Sequence, residues 1–355
     1  MADPDRLRGP QPAEAAEPAA PRSLRLPRRR VLLAVVGFLF ALATFAYFLP
    51  RIADYRDVWD VLRGLSWRWL LALAAAAILN LLTFAPPWMV ALPGLGFRRA
   101  LMLTQASTAL SIIVPAGAAV GIAGAYAMLR RWGYAGREIG RAVTVASLWN
   151  QFANLSYPII AVFALTASGG DSPVLATAAF VGVAILGIAI AALAAVLASD
   201  RTATDVGDLT ARFVSWALGK FGRRPVLWGG PSFGRFRRDS LELLRRRWHL
   251  LTIATYGGTL TIFLVLLVAL RACDVPGSEV SVAEAFAAWA LARILGSFPI
   301  TPGGIGVVEL GVTGALIGFG GDNAGVVAAV LVYRFLTMVP TVGLGLLAAA
   351  TFRRS

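Results

Sequence analysis

Charge is what this sequence has least of. Only 15% of its 355 residues are Asp, Glu, Lys or Arg, while 58% are hydrophobic. A soluble domain of this length needs far more charge, because its surface must face water. The mean hydropathy of +0.71 points the same way. Cysteine and histidine are almost missing. A single Cys273 excludes an internal disulfide, and a single His249 speaks against a histidine-rich metal site. Neither metal nor cofactor is expected. Lysine is reduced to Lys220, so the formal net charge of +14 comes almost entirely from arginine. In a soluble chain that balance would point to nucleic acid. Here the arginines lie just outside long apolar blocks, so membrane orientation and lipid headgroups explain them better.

What is present are those blocks, among them Val31 to Leu49, Trp69 to Leu92, Val174 to Ala198 and Leu250 to Leu270. A helix needs ~20 apolar residues to cross the hydrocarbon core. Outer-membrane strands would be ~10 residues long and alternating. Leu, Ala, Val and Gly in unbroken runs suit helices. The expectation is an all-α polytopic membrane protein with about six full spans and two re-entrant or broken-helix hairpins, arranged as an inverted repeat.

Arginine placement sets the orientation. Residues 1–30 are rich in Pro, Ala and Arg without apolar period and read as a disordered cytoplasmic tail. The first half-repeat runs over 31–166 and the second over 173–350, with a basic cytoplasmic or interfacial insertion at 200–248. Full spans are expected at 31–49, 67–92, 142–166, 173–198, 249–270 and 326–350. Between the first two, residues 50–66 place Ile52, Tyr55, Val58, Trp59, Leu62 and Leu65 on one helical face, as an interfacial amphipathic helix does. Within 200–248, amphipathic stretches near 209–221 and 236–248 flank a Gly/Pro-rich middle. Both termini are expected in the cytoplasm of a bacterial plasma membrane, with Asp171 and Asp322 outside.

Two segments do not read as simple spans. Ala100 to Leu129 is interrupted at Pro115-Ala-Gly117, and Val282 to Phe319 at Pro299-Ile-Thr-Pro302-Gly303-Gly304. Shifted by 187 residues, the first lies on the second: Pro115 falls on Pro302, Leu129 on Leu316, Gly133 on Gly320, and Ala142 to Leu148 on Ala329 to Phe335. Arginines at both ends of the first hairpin make it enter from the cytoplasm, whereas the second enters from outside. Inverted repeats with broken helices at the midplane are a recurring plan for transporters that alternate access. The plainer alternative is that Pro and Gly kink two packed helices.

Ionisable residues inside the apolar blocks are few: Arg293, Glu309, Arg334 and, near one end, Glu284. Each costs at least ~2.5 kcal/mol at a helix centre, so each should face the bundle interior with a partner. Arg293 and Arg334 together suit a phosphate, with Glu309 holding one arginine or accepting an ammonium. A purely structural Glu309–Arg pair is the alternative. Gly303-Gly304-Ile305-Gly306 opens a helix whose N-terminus favours an anion. In the first half Asn150 and Asn154, one turn apart, suit a sugar or glycerol, or else a helix–helix hydrogen bond. The candidate substrate-binding set is therefore Pro302, Gly303, Gly304, Gly306, Glu309, Arg334, Arg293, Pro115, Gly117, Asn150 and Asn154. No catalytic residues are assigned.

Phe298-Pro-Ile-Thr-Pro-Gly-Gly-Ile-Gly-Val-Val-Glu309, followed by Val332-Tyr-Arg334, resembles the C-terminal signature of the lysylphosphatidylglycerol-synthase transmembrane (flippase-like domain) family. Val114 to Gly121, with Tyr126 to Arg130 and Trp149-Asn150, resembles the first-half signature of an actinobacterial branch. The resemblance implies movement of a phospholipid or polyprenyl-phosphate-linked lipid between leaflets, with membrane lipids bearing an anionic or phosphate headgroup as partners. It points to Pro302, Gly303, Gly304, Gly306, Glu309 and Arg334. The name-giving synthases carry a soluble aminoacyl-transferring domain after the membrane part, and this chain ends at Ser355, so lysylphosphatidylglycerol synthesis is not implied. Many members also carry an acidic residue soon after the first-half proline, where this chain has Ala118 and Ala119. Two rival functions remain open. One is a polyprenyl-phosphate-dependent membrane glycosyltransferase using Asp54, Asp57 or Asp60. The other is a scaffold recruiting a partner through 200–248.

Overall fold

The computed structural model describes residues 55–113, 117–167, 173–219, 230–297 and 304–354. The expected first span, Asp54, Asp171 and the break residues Pro115, Pro302 and Gly303 lie outside them. Among the described residues the chain is helical, without strands. Among the described residues three helical stretches are long and apolar enough to cross a membrane, Trp67–Ala91, Leu243–Ala272 and Asn323–Ala348. The fold is an all-α polytopic membrane architecture.

Helix α1 (Tyr55–Arg63) is the expected amphipathic helix, yet its apolar face is shared. Val58 is buried in the main core with Val61 and Leu62 packed beside it, while Trp59 remains exposed. The expected span 67–92 is divided. Helix α2 (Trp67–Thr83) ends and α3 (Pro86–Ala91) restarts, because Pro86 and Pro87 fill the first helical positions, where a missing N–H costs nothing.

Two hairpins follow the same plan. The first is α4 (Phe97–Ile113) against α5 (Gly117–Arg131). A glycine stripe closes it: a Cβ on Gly117 would strike the Ser111 backbone, one on Gly121 would sit 2.6 Å from Ser107 O, and one on Gly124 2.5 Å from Leu110 Cδ1. Small residues one turn apart let helices approach closely in a membrane. Then come α6 (Gly136–Ala167), α7 (Pro173–Ala198) and α8 (Asp200–Gly219).

Helix α9 (Gly230–Ala272) departs from the sequence expectation, joining the stretch 236–248 and the span 249–270 in one helix of 43 residues. Gly257-Gly258 does not break it, since Gly258 stays helical and brings α9 against the Thr83 carbonyl, where a Cβ would lie 2.7 Å away. At ~1.5 Å per residue the helix is about 65 Å long, twice the ~30 Å hydrocarbon core. The exposed Arg245, Arg246 and Arg247 mark where it leaves the apolar zone.

The second hairpin is α10 (Val282–Ser297) against α11 (Val307–Gly318), and α12 (Asn323–Arg354) closes the chain. Helices α6 and α12 begin 187 residues apart, at 136 and 323, and end 187 apart, at 167 and 354. The turns before them match bond for bond. Gly133 and Gly320 are both left-handed, with φ of 90° and 110°. The next N–H donates five residues back, from Tyr134 to Leu129 O at 3.2 Å and from Gly321 to Leu316 O at 3.1 Å. That is a Schellman-type stop, which favours glycine. Leu129 and Leu316, the anchors of the two turns, are fully buried.

Two main apolar cores result. A larger one gathers α9, α10, α11 and α12, and a smaller one α3, α4, α5 and the start of α6. Helix α12 joins them by packing on α4, where Gly345 meets Ala109 and a Cβ would lie 2.5 Å from Gln105 O. Gly345→Leu should therefore lower the melting temperature in detergent. Overpacking a close backbone contact costs ~1–3 kcal/mol, and an unchanged melting curve would show that the two helices separate freely.

Candidate functional site

Helix α11 starts at a left-handed turn. Gly304 and Gly306 have φ of 69° and 88°, a region that a residue with a Cβ rarely occupies. Gly306 is the N-cap, and its N–H donates to Glu309 Oε2 at 2.7 Å. That bond holds the carboxylate at the first turn of α11, where the helix dipole favours negative charge. The other oxygen, Oε1, accepts Arg334 Nε from α12 at 2.6 Å. The side chains are only 7% and 15% exposed, so the pair is a buried one in a chain built for lipid.

The pair sits on the wall of a cavity of about 540 Å³. The remaining lining is apolar and includes Ile112 at the end of α4, Ile305 beside the second break, and Phe335, Met338 and Val342 of α12. In sequence Ile112 lies just before the first break and Ile305 just after the second, so described residues flanking both breaks line the same cavity. A charged pair on the wall of an otherwise apolar cavity is the polarity pattern of an amphiphile.

The sequence-predicted residues that are described do not all meet at one place. Gly304, Gly306, Glu309 and Arg334 come together at this turn. Arg293 is not among the residues that line this cavity: its Nε and Nη2 donate to Asn154 Oδ1 at 3.2 and 2.6 Å, and its guanidinium lies 5.8 Å from the Trp289 ring. Asn154 is thereby engaged in tying α6 to α10, and it also donates to Gln151 Oε1 at 3.2 Å. Asn150, one turn away, lines a separate cavity with threonines and serines. Gly117 serves hairpin closure, as described above. Asp57 and Asp60 are exposed on α1 and line neither cavity. Among the described residues no three of His, Cys, Asp and Glu gather as metal ligands.

Residues 31–345 match the lysylphosphatidylglycerol synthase TM region. The chain belongs to the lysylphosphatidylglycerol synthase transmembrane family. No curated protein matches it. Membership makes this a lipid-related membrane protein.

Sequence reasoning missed three features of this family member. One is the left-handed N-cap at Gly306. Another is the aromatic group beneath Arg293, where Tyr157 packs edge-on to Trp289 at 4.9 Å between ring centroids. The last is the hydroxyl lining around Asn150. A signal for that lining was present, since Thr104 and Thr108, and Thr255 and Thr259, recur at one-turn spacing in otherwise apolar helices.

Proposed function

We propose that the protein is a flippase-like transporter that carries a phosphate-bearing lipid, a phospholipid or a polyprenyl-phosphate-linked lipid, between leaflets by alternating access, without performing covalent chemistry. What supports the reading is the Glu309–Arg334 pair on the wall of an apolar cavity that Ile112 and Ile305, the neighbours of the two breaks in sequence, also line. Arg334 binds the phosphate, and Glu309 orients the guanidinium from the capped start of α11. The apolar lining takes the beginning of the lipid chains. Helices α4, α5 and α6 and helices α10, α11 and α12 form the matching parts of two inverted halves, as their common 187-residue register supports. Six full spans then put both termini in the cytoplasm of the plasma membrane.

Purified protein in liposomes should equilibrate a short-chain fluorescent phosphatidylglycerol between leaflets faster than protein-free liposomes do. Equal rates would overturn the reading. Orientation is tested by labelling a cysteine at position 322, which is exposed at the start of α12. The native Cys273 does not interfere. It is buried, and burial, with Asp274 adding to it, pushes its thiol up to about 12. The reactive thiolate is therefore absent at neutral pH in the folded chain. Maleimide at pH 7 should label Asp322→Cys from outside and leave the wild type blank. Labelling of position 322 from the cytoplasmic side alone would overturn the inverted arrangement.

A further inference from the structure

The cavity around Asn150 has a chemistry of its own. It measures about 260 Å³ and lies between α2, α3, α4, α6 and α9. Among the described residues no charged side chain lines it. Several of its hydroxyls are turned back on their own helices: Thr83 donates to Leu79 O at 2.9 Å, Thr104 to Leu101 O at 3.0 Å, Ser107 to Thr104 O at 3.2 Å and Thr259 to Thr255 O at 2.7 Å. Their protons are committed, so what they offer the cavity is oxygen lone pairs. Thr255 is only 5% exposed, and its Oγ1 has no hydrogen-bond partner among the described residues. Thr255 is itself one of the residues that line the cavity, so a polar ligand there would offer this oxygen the partner it lacks.

Asn150 and Ser147 are exposed midway along α6. Asn150 stands about 13 Å beyond Arg141 at ~1.5 Å per residue. A carboxamide at that depth is unfavourable against hydrocarbon and belongs beside water or a polar ligand. Trp88 and Phe84 supply apolar rings beside the hydroxyls. The 187-residue register also places Ser147 on Arg334, so this cavity occupies in the first half the place that the charged site occupies in the second.

We infer that this cavity binds the uncharged polyol part of the lipid headgroup, a glycerol or a single sugar ring. An acceptor-rich lining selects a donor-rich ligand, and the lack of a carboxylate selects a neutral polyol over an ammonium. The apolar rings take the C–H face of the same group, and the volume admits one ring. A phosphate finds no cation among the described residues that line this cavity. This inference rests on the lipid-transport reading and adds the headgroup class to it.

The test compares four lipids with identical chains: phosphatidylinositol, phosphatidylglycerol, phosphatidic acid and phosphatidylethanolamine. Binding to the full chain in detergent is read by native mass spectrometry, with transport of the same lipids followed in liposomes. Phosphatidylinositol and phosphatidylglycerol should bind about tenfold better than phosphatidic acid, as expected when a few net hydrogen bonds are gained. Asn150→Leu and the isosteric Thr255→Val, made separately so that either one folding suffices, should lower both to the phosphatidic acid level. Equal binding of all four lipids, a preference for phosphatidylethanolamine, or a preference that survives both variants would overturn the inference. Free myo-inositol that abolishes the lipid preference at equal concentration would assign the cavity to a soluble polyol and overturn the lipid source. Failure to displace supports the headgroup. Intact transport with equal binding rejects only the polyol subsite, whereas absent transport of every lipid rejects the function itself.

Discussion

Glu309→Gln/Arg334→Gln protein is expected to melt close to the wild type and to lose lipid transport. The two single variants should behave differently from the double and from each other. Glu309→Gln takes the carboxylate from the buried Arg334 guanidinium, and breaking a buried pair from one side costs ~3–5 kcal/mol. Arg334→Gln leaves a carboxylate that still accepts the Gly306 N–H at 2.7 Å and still faces the positive end of α11. That residual support is worth ~0.3–2 kcal/mol, so this variant should be the milder of the two. In the double variant the amide oxygen introduced by Glu309→Gln can keep the Gly306 cap while no charge remains to be balanced. Transport separates the site from a strut. Losing a charged bond to a phosphate costs ~1.5–3 kcal/mol, about tenfold or more in rate. Thermal melts in detergent, run beside transport in liposomes, read both quantities. A double variant with wild-type transport would leave Glu309–Arg334 a structural pair only.

Gly304→Leu/Gly306→Leu should insert into the membrane and abolish transport. Both glycines are left-handed, and a side chain in that region costs roughly 1–2 kcal/mol per residue. At Gly304 the added Cβ would also lie 2.9 Å from Val308 Cγ2 and 3.6 Å from Gly296 Cα, where α10 comes close to the start of α11. The chain relieves this by moving the start of α11, and Glu309 moves with it because Gly306 is its cap. The effect therefore reaches Arg334 and the chamber, although neither residue is touched. Gly304→Ala alone should fall between the wild type and the double variant. Normal transport by the double Leu variant, with normal expression, would count against a broken-helix site.

The sequence by itself determined the solvent, the helical class and the matching turns before α6 and α12. Low charge and long apolar runs demand a bilayer, and a bilayer admits helices, because every backbone group must be satisfied within the chain. The 187-residue register was legible for a similar reason. A Schellman-type stop needs glycine at a fixed place, so Gly133 and Gly320 mark equivalent turns whatever surrounds them. Glu309 and Arg334 were legible as a pair because charge in an apolar segment must find a partner.

Which partner it finds was beyond the sequence. Arg293 read as a residue in need of a partner, and the packing of α10 on α6 supplies Asn154, a choice that no spacing in the sequence shows. Asn150 and Asn154, one turn apart, read as a single surface, yet one faces a hydroxyl cavity and the other an arginine. The 236–248 stretch read as interfacial, yet it continues into α9. Periodicity states which residues share a face of one helix and nothing about which helix lies opposite. That choice is made by close contacts between distant glycines and backbone atoms, such as Gly345 on Gln105 and Gly258 on Thr83, and these exist only once the helices have packed.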